Sequence, residues 1–567
     1  MKSKTDTNAN ARAEFDAIIV GAGFAGLYAL YRLRNHGLRA KVFEAGTDIG
    51  GTWFWNRYPG ARCDVESLEY SYSFSDELQQ KWEWPERFAA QPDILKYIHH
   101  VAERFDLRRH IVVDTKVTSA TFDEAESRWT VVTSRGHRAS AKFCIMASGN
   151  LSLPRVPQFE GLDSFKGRWF HSGLWPHDPV DFSGRRVGVI GTGSSGIQMI
   201  PNIAEQAAQL YVFQRTANYS VPSVNRQLTA EINQTHKARY PEWRQAARRT
   251  PFGIAGHSPP DQSAFDVSPE ERTRSYEVKW GTGGNISFLY AYKDMLVDKD
   301  ANETAGQFVR DKIAETVRDL KVAKLLMPND HYIGTKRLCL DIGYYETYNR
   351  DNVTLVDVKT SPIETIYEGG LRTLNVDYEL DDIVFATGFD AMTGALLDID
   401  IRGKNNLALT NKWADGPKAY LGLMTAGFPN MFIITGPGSP SVKTNMISAI
   451  EQHVDWISDF IVHVEKQQYA TINADIEEET RWVAHVNEVA DRTLYPLAKS
   501  WYMGANIPGK PRVFMPYVAG LDKYRDICDD IAAQEYKGFV LKKQAELTGS
   551  TRSRVAPGGR FREGRWN

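Results

Sequence analysis

Two glycine-rich turns carry the clearest chemical signal in this chain. Gly21-Ala-Gly23-Phe-Ala-Gly26 follows an apolar run at 15–20 and leads into a helical pattern from 27 to about 34. Gly191-Thr-Gly193-Ser-Ser-Gly196 follows a second apolar run at 185–190 and leads into a helical pattern from 197 to about 208. Strand, tight turn and helix in that order suit a dinucleotide. The glycines let the backbone approach a pyrophosphate, whose charge then faces the free N–H groups of the helix. Glycines also make ordinary turns, so one such stretch alone says little; two, each set between a strand and a helix, point to two nucleotide sites.

The end of the following strand separates the two sites. Residues 41–43 lead to Glu44, 23 positions after Gly21, where a carboxylate can accept hydrogen bonds from ribose hydroxyls and would repel a 2′-phosphate. The first site is therefore expected to hold FAD or NAD. Residues 210–213 lead to Gln214-Arg215-Thr216, with Arg215 24 positions after Gly191. A guanidinium there matches a 2′-phosphate in charge and fork geometry, so the second site is expected to hold NADP. On position alone, a surface ion pair is the other reading of Arg215.

The elements that must hold these residues come from a long, nearly neutral chain: 567 residues, 68 Lys plus Arg against 70 Asp plus Glu, and 42% hydrophobic residues. At roughly 150 residues per domain this length suggests three or four domains. A net charge of −2 exerts no general pull on nucleic acid or anionic membrane. Cys63, Cys144, Cys339 and Cys528 are scattered without a Cys-x-x-Cys pair, so neither a metal cage nor a disulfide framework is expected, and a reducing cytoplasm fits. Residues 1–12 are polar and lack the apolar core of a signal peptide. The charge-free stretch 419–442 is broken by glycines and prolines and reads as a buried strand followed by a loop rather than a membrane span. Residues 225–302 have poor periodicity and suggest an inserted cap of helices and loops. Val309, Ile313, Val317 and Leu320 mark one amphipathic helix stopped by Pro328, and Ile447, Ile450, Val454, Ile457, Ile461 and Val464 mark another. Fourteen tryptophans hint at broad apolar pockets.

Strands return at 353–356 and 382–385. The second ends in Ala386-Thr387-Gly388, much as 144–146 ends in Ala147-Ser148-Gly149. Taking 382–385 as a return to the first domain gives an α/β fold of two Rossmann-like dinucleotide-binding domains with a helical insert. The FAD domain then spans 14–150 and 381–546, the NADP domain 151–224 and 331–380, and the insert 225–330, with a disordered N-terminus at 1–13 and a basic tail at 547–567. Flavin disulfide reductases share this arrangement but pass electrons to two neighbouring cysteines, which the isolation of Cys63 removes.

Two longer stretches are more specific. Gly50-Gly51-Thr52-Trp53-Phe54-Trp55-Asn56-Arg57-Tyr58-Pro59-Gly60-Ala61-Arg62-Cys63-Asp64 fits the pattern (A/G)GxWxxxx(F/Y)P(G/M)xxxD, and Phe165-Lys-Gly167-Arg-Trp-Phe-His171-Ser-Gly-Leu-Trp175-Pro176 fits FxGxxxHxxxWP. With these the chain resembles the type I Baeyer–Villiger monooxygenases over about residues 14–545. The phenylacetone and steroid group is the nearest, through Gly334-Thr-Lys336-Arg337-Leu, Gly436-Pro-Gly-Ser-Pro-Ser441 and Trp501-Tyr-Met-Gly-Ala-Asn506. The resemblance implies FAD and NADPH as cofactors, no metal, a ketone and O2 as small-molecule partners, esters or lactones as products, sulfides as possible further substrates, and a monomer. Flavin-containing monooxygenases acting on N and S centres, which usually carry Tyr or Phe where Trp175 stands, and non-oxygenating electron-transfer flavoproteins are the rivals.

The same resemblance assigns roles. Arg337 would hold a peroxyflavin anion and the oxyanion of its ketone adduct, and Asp64 would orient it. Gly21, Gly23, Gly26, Glu44, Thr52, Trp53, Phe54, Trp55, Asp64, Tyr70, Val117 and Met446 would contact FAD. Arg62, Cys63, Thr192, Gly193, Ser194, Ser195, Gly196, Ile197, Gln198, Arg215, Thr216, Lys336, Arg337 and Trp501 would contact NADP. His171 and Trp175 are read as structural residues of the connector between domains. Ser441, Val442 and Lys443 would border the substrate pocket. Lys443 departs from the apolar residue of the phenylacetone enzyme, which leaves it either turned to solvent, the more ordinary case, or altering the pocket's polarity.

Overall fold

The structure, a computed structural model, describes residues 13–549. Most of both expected loose ends lies outside the described residues, although Ala13 already begins a strand and residues 547–549 complete a helix. Ala17, Ile18 and Ile19 in the strand Ala13–Val20 have no exposure, as suits a parallel strand covered on both faces. It pairs in parallel with Ala40–Phe43 on one side and Arg138–Met146 on the other. These form the centre of an eight-stranded sheet that continues to Ile111–Val112 at one edge and through Arg128–Thr133 and Val117–Asp123 to Asp400–Arg402 at the other. Met431–Ile433 also pairs with Arg138–Met146, and is the strand expected within 419–442. The helix Met446–Lys466 lies over this unit. Its predicted apolar stripe from Ile447 to Val464 is buried throughout, each side chain contributing roughly 1.5–3 kcal/mol.

The second sheet has five parallel strands, in the order Val353–Asp357, Gln209–Gln214, Arg186–Ile190, Asp382–Phe385 and Arg168–His171. This corrects the expected placement of 382–385. That strand pairs in register with Arg186–Ile190 and closes the second domain instead of returning to the first. The reason is electrostatic as well as apolar. Asp382 is fully buried, and its carboxylate takes two hydrogen bonds of 2.7 Å from Arg168 and an ion pair from Arg185, both in the second sheet's own segments. A buried carboxylate without those partners would cost several kcal/mol, so the strand stays where the arginines are.

The insert is helical, as expected, from Ala230–Lys237 to Leu320–Leu326. The single amphipathic helix expected across Val309 to Leu320 is two helices. Lys299–Thr316 ends at Val317, and the Asp319 side chain accepts the N–H groups of Lys321 and Val322 to start Leu320–Leu326, leaving Leu320 68% exposed. The insert leans on the first domain through Glu69, which accepts hydrogen bonds from the indole of Trp243 and the N–H of Ala255.

Candidate active site

The first turn is closed around its glycines. Gly21 has φ +104°, and a Cβ there would lie 2.6 Å from the Ala147 carbonyl oxygen; one on Gly26 would lie 1.9 Å from the oxygen of Gly21. Gly23 rests against Gly51, at the start of the Gly50 to Asp64 stretch. Glu44 is 5% exposed and accepts the N–H groups of Ala22 at 2.6 Å and Gly46 at 2.7 Å. Burial pushes its pKa up and these N–H groups pull it back. A carboxylate has about four acceptor sites, so it retains capacity for ribose hydroxyls. The helix Phe24–Asn35 starts with no side-chain cap, leaving its first N–H groups for an anion.

Farther along, Thr52 is exposed at the start of Thr52–Trp55, the Trp53 indole donates to the Tyr70 hydroxyl at 3.2 Å, and Trp55 stands edge-on to buried Phe54. Val117 packs with Val20 and Phe43 in the core, so its backbone rather than its side chain could meet a cofactor. Met446 opens the helix Met446–Lys466, which is capped by Asn445 accepting the Ile447 N–H at 3.1 Å.

The second turn is open. Gly191 and Gly196 are as constrained as their counterparts, but around Gly193, apart from its chain neighbours, no heavy atom of the described residues lies within 4 Å of where a Cβ would be. The helix Ser194–Ala204 again has no side-chain cap. Ile197 and Gly196 are its buried underside, and Ser194 is exposed with its hydroxyl 3.2 Å from Cys339 Sγ. Ser195 is half-buried one position on, and the Thr192 hydroxyl donates to the Thr216 carbonyl at 3.0 Å. Arg215 is exposed, and among the described residues no carboxylate lies within ion-pair distance of it, which removes the ion-pair reading. Lys336 stands nearby, 3.5 Å from Asp330, its pKa pushed down by burial and by the charge of Arg215 against the pull of Asp330. Two such cations, one of them under-neutralised, suit a 2′-phosphate.

Other expected nucleotide neighbours tie the domains together. Gln198 accepts from the Tyr58 hydroxyl at 2.9 Å and donates to the Arg62 carbonyl at 3.0 Å, and Arg62 pairs with Glu86. Cys63 is buried, its Sγ accepting the Val65 N–H, and burial raises its thiol pKa. His171 is 1% exposed and joins the connector to the second sheet: Nδ1 accepts the Gly173 N–H, while Nε2 lies 3.1 Å from the Arg155 carbonyl and 3.2 Å from the Thr387 hydroxyl. Trp175 packs beside Phe170 and Phe182. His171 ends the strand Arg168–His171 of the second sheet, and Trp175 follows it after one short turn.

Between the two turns Arg337 and Asp64 form a bidentate pair, with Nε–Oδ2 at 2.7 Å and Nη2–Oδ1 at 2.6 Å, while Nη1 donates to the Val442 carbonyl at 2.9 Å. The side chains are 25% and 24% exposed. Burial opposes the charge on Arg337, but the attraction and hydrogen bonds of Asp64 outweigh it and hold the guanidinium above its ordinary pKa. Ser441 and Val442 are buried. Lys443 is half-buried, and its Nζ lies 4.0 Å from the ring centre of Tyr495 and 4.6 Å from that of Tyr502.

The family model described as flavin-binding monooxygenase-like matches residues 16–228. A "Baeyer-Villiger monooxygenase" of Pseudooceanicola batsensis is 42% identical over 551 residues, covering 96% of this chain and all of that one. The chain belongs to the Baeyer–Villiger monooxygenases. A cyclohexanone 1,2-monooxygenase of an Acinetobacter species is 42% identical over 539 residues, 94% of this chain and 98% of that one. A solved "Oxidized steroid monooxygenase bound to NADP" is 51% identical with a TM-score of 0.90, over 94% of this chain and all of that one. Tyr495, Tyr502 and Asp330 were not foreseen as parts of this Baeyer–Villiger site. Tyr502 follows Trp501 within a motif, and Asp330 lies six positions before Lys336, so proximity in sequence was the available signal.

Proposed function

We propose that the chain converts ketones to esters or lactones with FAD in the first site, NADPH in the second, and O2. The observation that carries this reading is Arg337, locked on Asp64 where the two sites meet. The cradles fit the cofactors: Glu44 beside the first turn favours an unphosphorylated ribose, and the clear space at Gly193 with Arg215 and Lys336 beyond it favours a pyrophosphate and a 2′-phosphate.

Bound FAD supplies hydride acceptance from NADPH and the activation of O2, chemistry that no side chain here can perform. The protein's part is electrostatic. Arg337 stays protonated throughout the physiological range and stabilises negative charge as it develops on the ketone oxygen under attack. Asp64 fixes the guanidinium fork in plane and neutralises its charge in the resting site; engaged by two N–H groups, it is a positioning residue rather than a base. Trp501, tilted against Tyr502 with ring centres 4.2 Å apart, walls the site and limits water. The free, buried state of all four cysteines supports a reducing, cytoplasmic setting.

The test is purified holoprotein with NADPH, O2 and a panel of cyclic, aromatic and linear ketones, with products identified by mass spectrometry. Ester formation coupled to NADPH loss is expected. NADPH loss that yields only peroxide with every ketone would overturn the reading.

A further inference from the structure

One cation beside this site has no role in the chemistry above. Lys443 follows Val442, whose carbonyl binds Arg337, and its Nζ is held over two tyrosine rings at 4.0 Å and 4.6 Å. Among the described residues no carboxylate lies within ion-pair distance of it, because Asp64, the nearby acid, is committed to Arg337. A half-buried lysine held this way lacks the anion that usually accompanies such a charge.

Lys443 also borders a cavity of about 240 Å³ whose wall includes Leu289, Tyr290, Leu296, Thr444 and Tyr495. The wall is mostly apolar, which suits a hydrocarbon ring, but the buried Tyr290 hydroxyl has no hydrogen-bond partner among the described residues. A cation with no anion beside it and an unpartnered hydroxyl on one small cavity suit oxygen atoms on whatever fills it.

From these juxtapositions we infer that Lys443 is a specificity residue that selects ketones carrying a carboxylate, which it binds through Nζ with the Tyr290 hydroxyl as a second donor. This rests on the ketone-oxygenating function proposed above and names the substrate class within it. With Arg337 and Asp64 already neutralising one another, a keto acid brings the one negative charge that balances Lys443. Burial and the repulsion of Arg337 press the amine's pKa down while the site is empty, Asp64 pulling the other way, and a bound carboxylate would restore its proton.

The test compares 4-oxocyclohexane-1-carboxylate with its methyl ester, which keeps the ring and the oxygens but loses the charge. In the wild-type holoenzyme kcat/KM for the acid should exceed that for the ester. In Lys443→Met the acid-to-ester ratio should fall about ten- to a hundredfold, the range of a lost charge-assisted hydrogen bond, and in Lys443→Arg most of the ratio should remain. Equilibrium titration of NADP-loaded, oxidised enzyme with the same two compounds, followed by flavin absorbance, should show the same loss of acid binding without turnover. An unchanged ratio in Lys443→Met overturns the inference, as does a wild-type preference for the ester, which would mark Lys443 as a neutral hydrogen-bonding or packing residue. Failure of the wild type to convert either compound while other ketones of the panel give esters would overturn this inference alone, whereas failure with every ketone would overturn the ketone-oxygenating reading and this inference with it.

Discussion

The two glycine-rich turns share a backbone but differ in what surrounds them. At the first, Gly23 packs on Gly51 and Glu44 is buried with both carboxylate oxygens on backbone N–H groups. At the second, Gly193 faces clear space and Arg215 stands exposed and unpaired by any described carboxylate. A turn whose acid and glycines are built into the core suits a cofactor that stays. One whose contacts await the ligand suits a cofactor that arrives and leaves. The same local motif is thus suited to two different modes of holding a nucleotide, and the difference lies in the residues packed beside it.

Substitutions at equivalent places should separate the two. The largest effect is expected from Gly26→Ala, whose Cβ would meet the Gly21 oxygen at 1.9 Å: protein should be recovered without FAD or not folded, as read by flavin absorbance. Glu44→Ala comes next. Leaving the N–H groups of Ala22 and Gly46 buried without their acceptor should cost about 1–3 kcal/mol each in thermal or denaturant unfolding and lower FAD content, with no change in the preference between NADPH and NADH. Arg215→Ala should raise KM for NADPH roughly ten- to a hundredfold and leave KM for NADH nearly unchanged; an equal rise for both would remove the 2′-phosphate assignment. The smallest effect is expected at Gly193→Ala, where the methyl meets no protein atom: Tm should hold within a degree or two, by order of magnitude for a surface change, while KM for NADPH rises by a few-fold.

Much of this contrast was legible in the sequence because it is local. Strand, turn and helix are set by consecutive residues, and Glu44 and Arg215 sit at the ends of the strands that follow. Sheet membership was not. The run 382–385 is apolar enough for either sheet, and its place depends on Arg168 and Arg185, some 200 positions earlier. The break between the helices Lys299–Thr316 and Leu320–Leu326 was hidden because Val317 and Leu320 continue the helical spacing, while the cap is a single aspartate, Asp319. Lys443 could be flagged from its neighbours, but the rings that hold it come from Tyr495 and Tyr502, which only the fold brings near.

The central claim is that Arg337 serves the oxygenation step and not the delivery of electrons. Arg337→Ala should be mixed with NADPH anaerobically, then with O2 and a ketone that the wild type oxidises, while flavin absorbance and ester are followed. The account predicts that the flavin is still reduced while ester formation falls by at least about a hundredfold, with peroxide accumulating in its place. Ester formation near the wild-type rate, or loss of flavin reduction in protein that retains FAD, would contradict it.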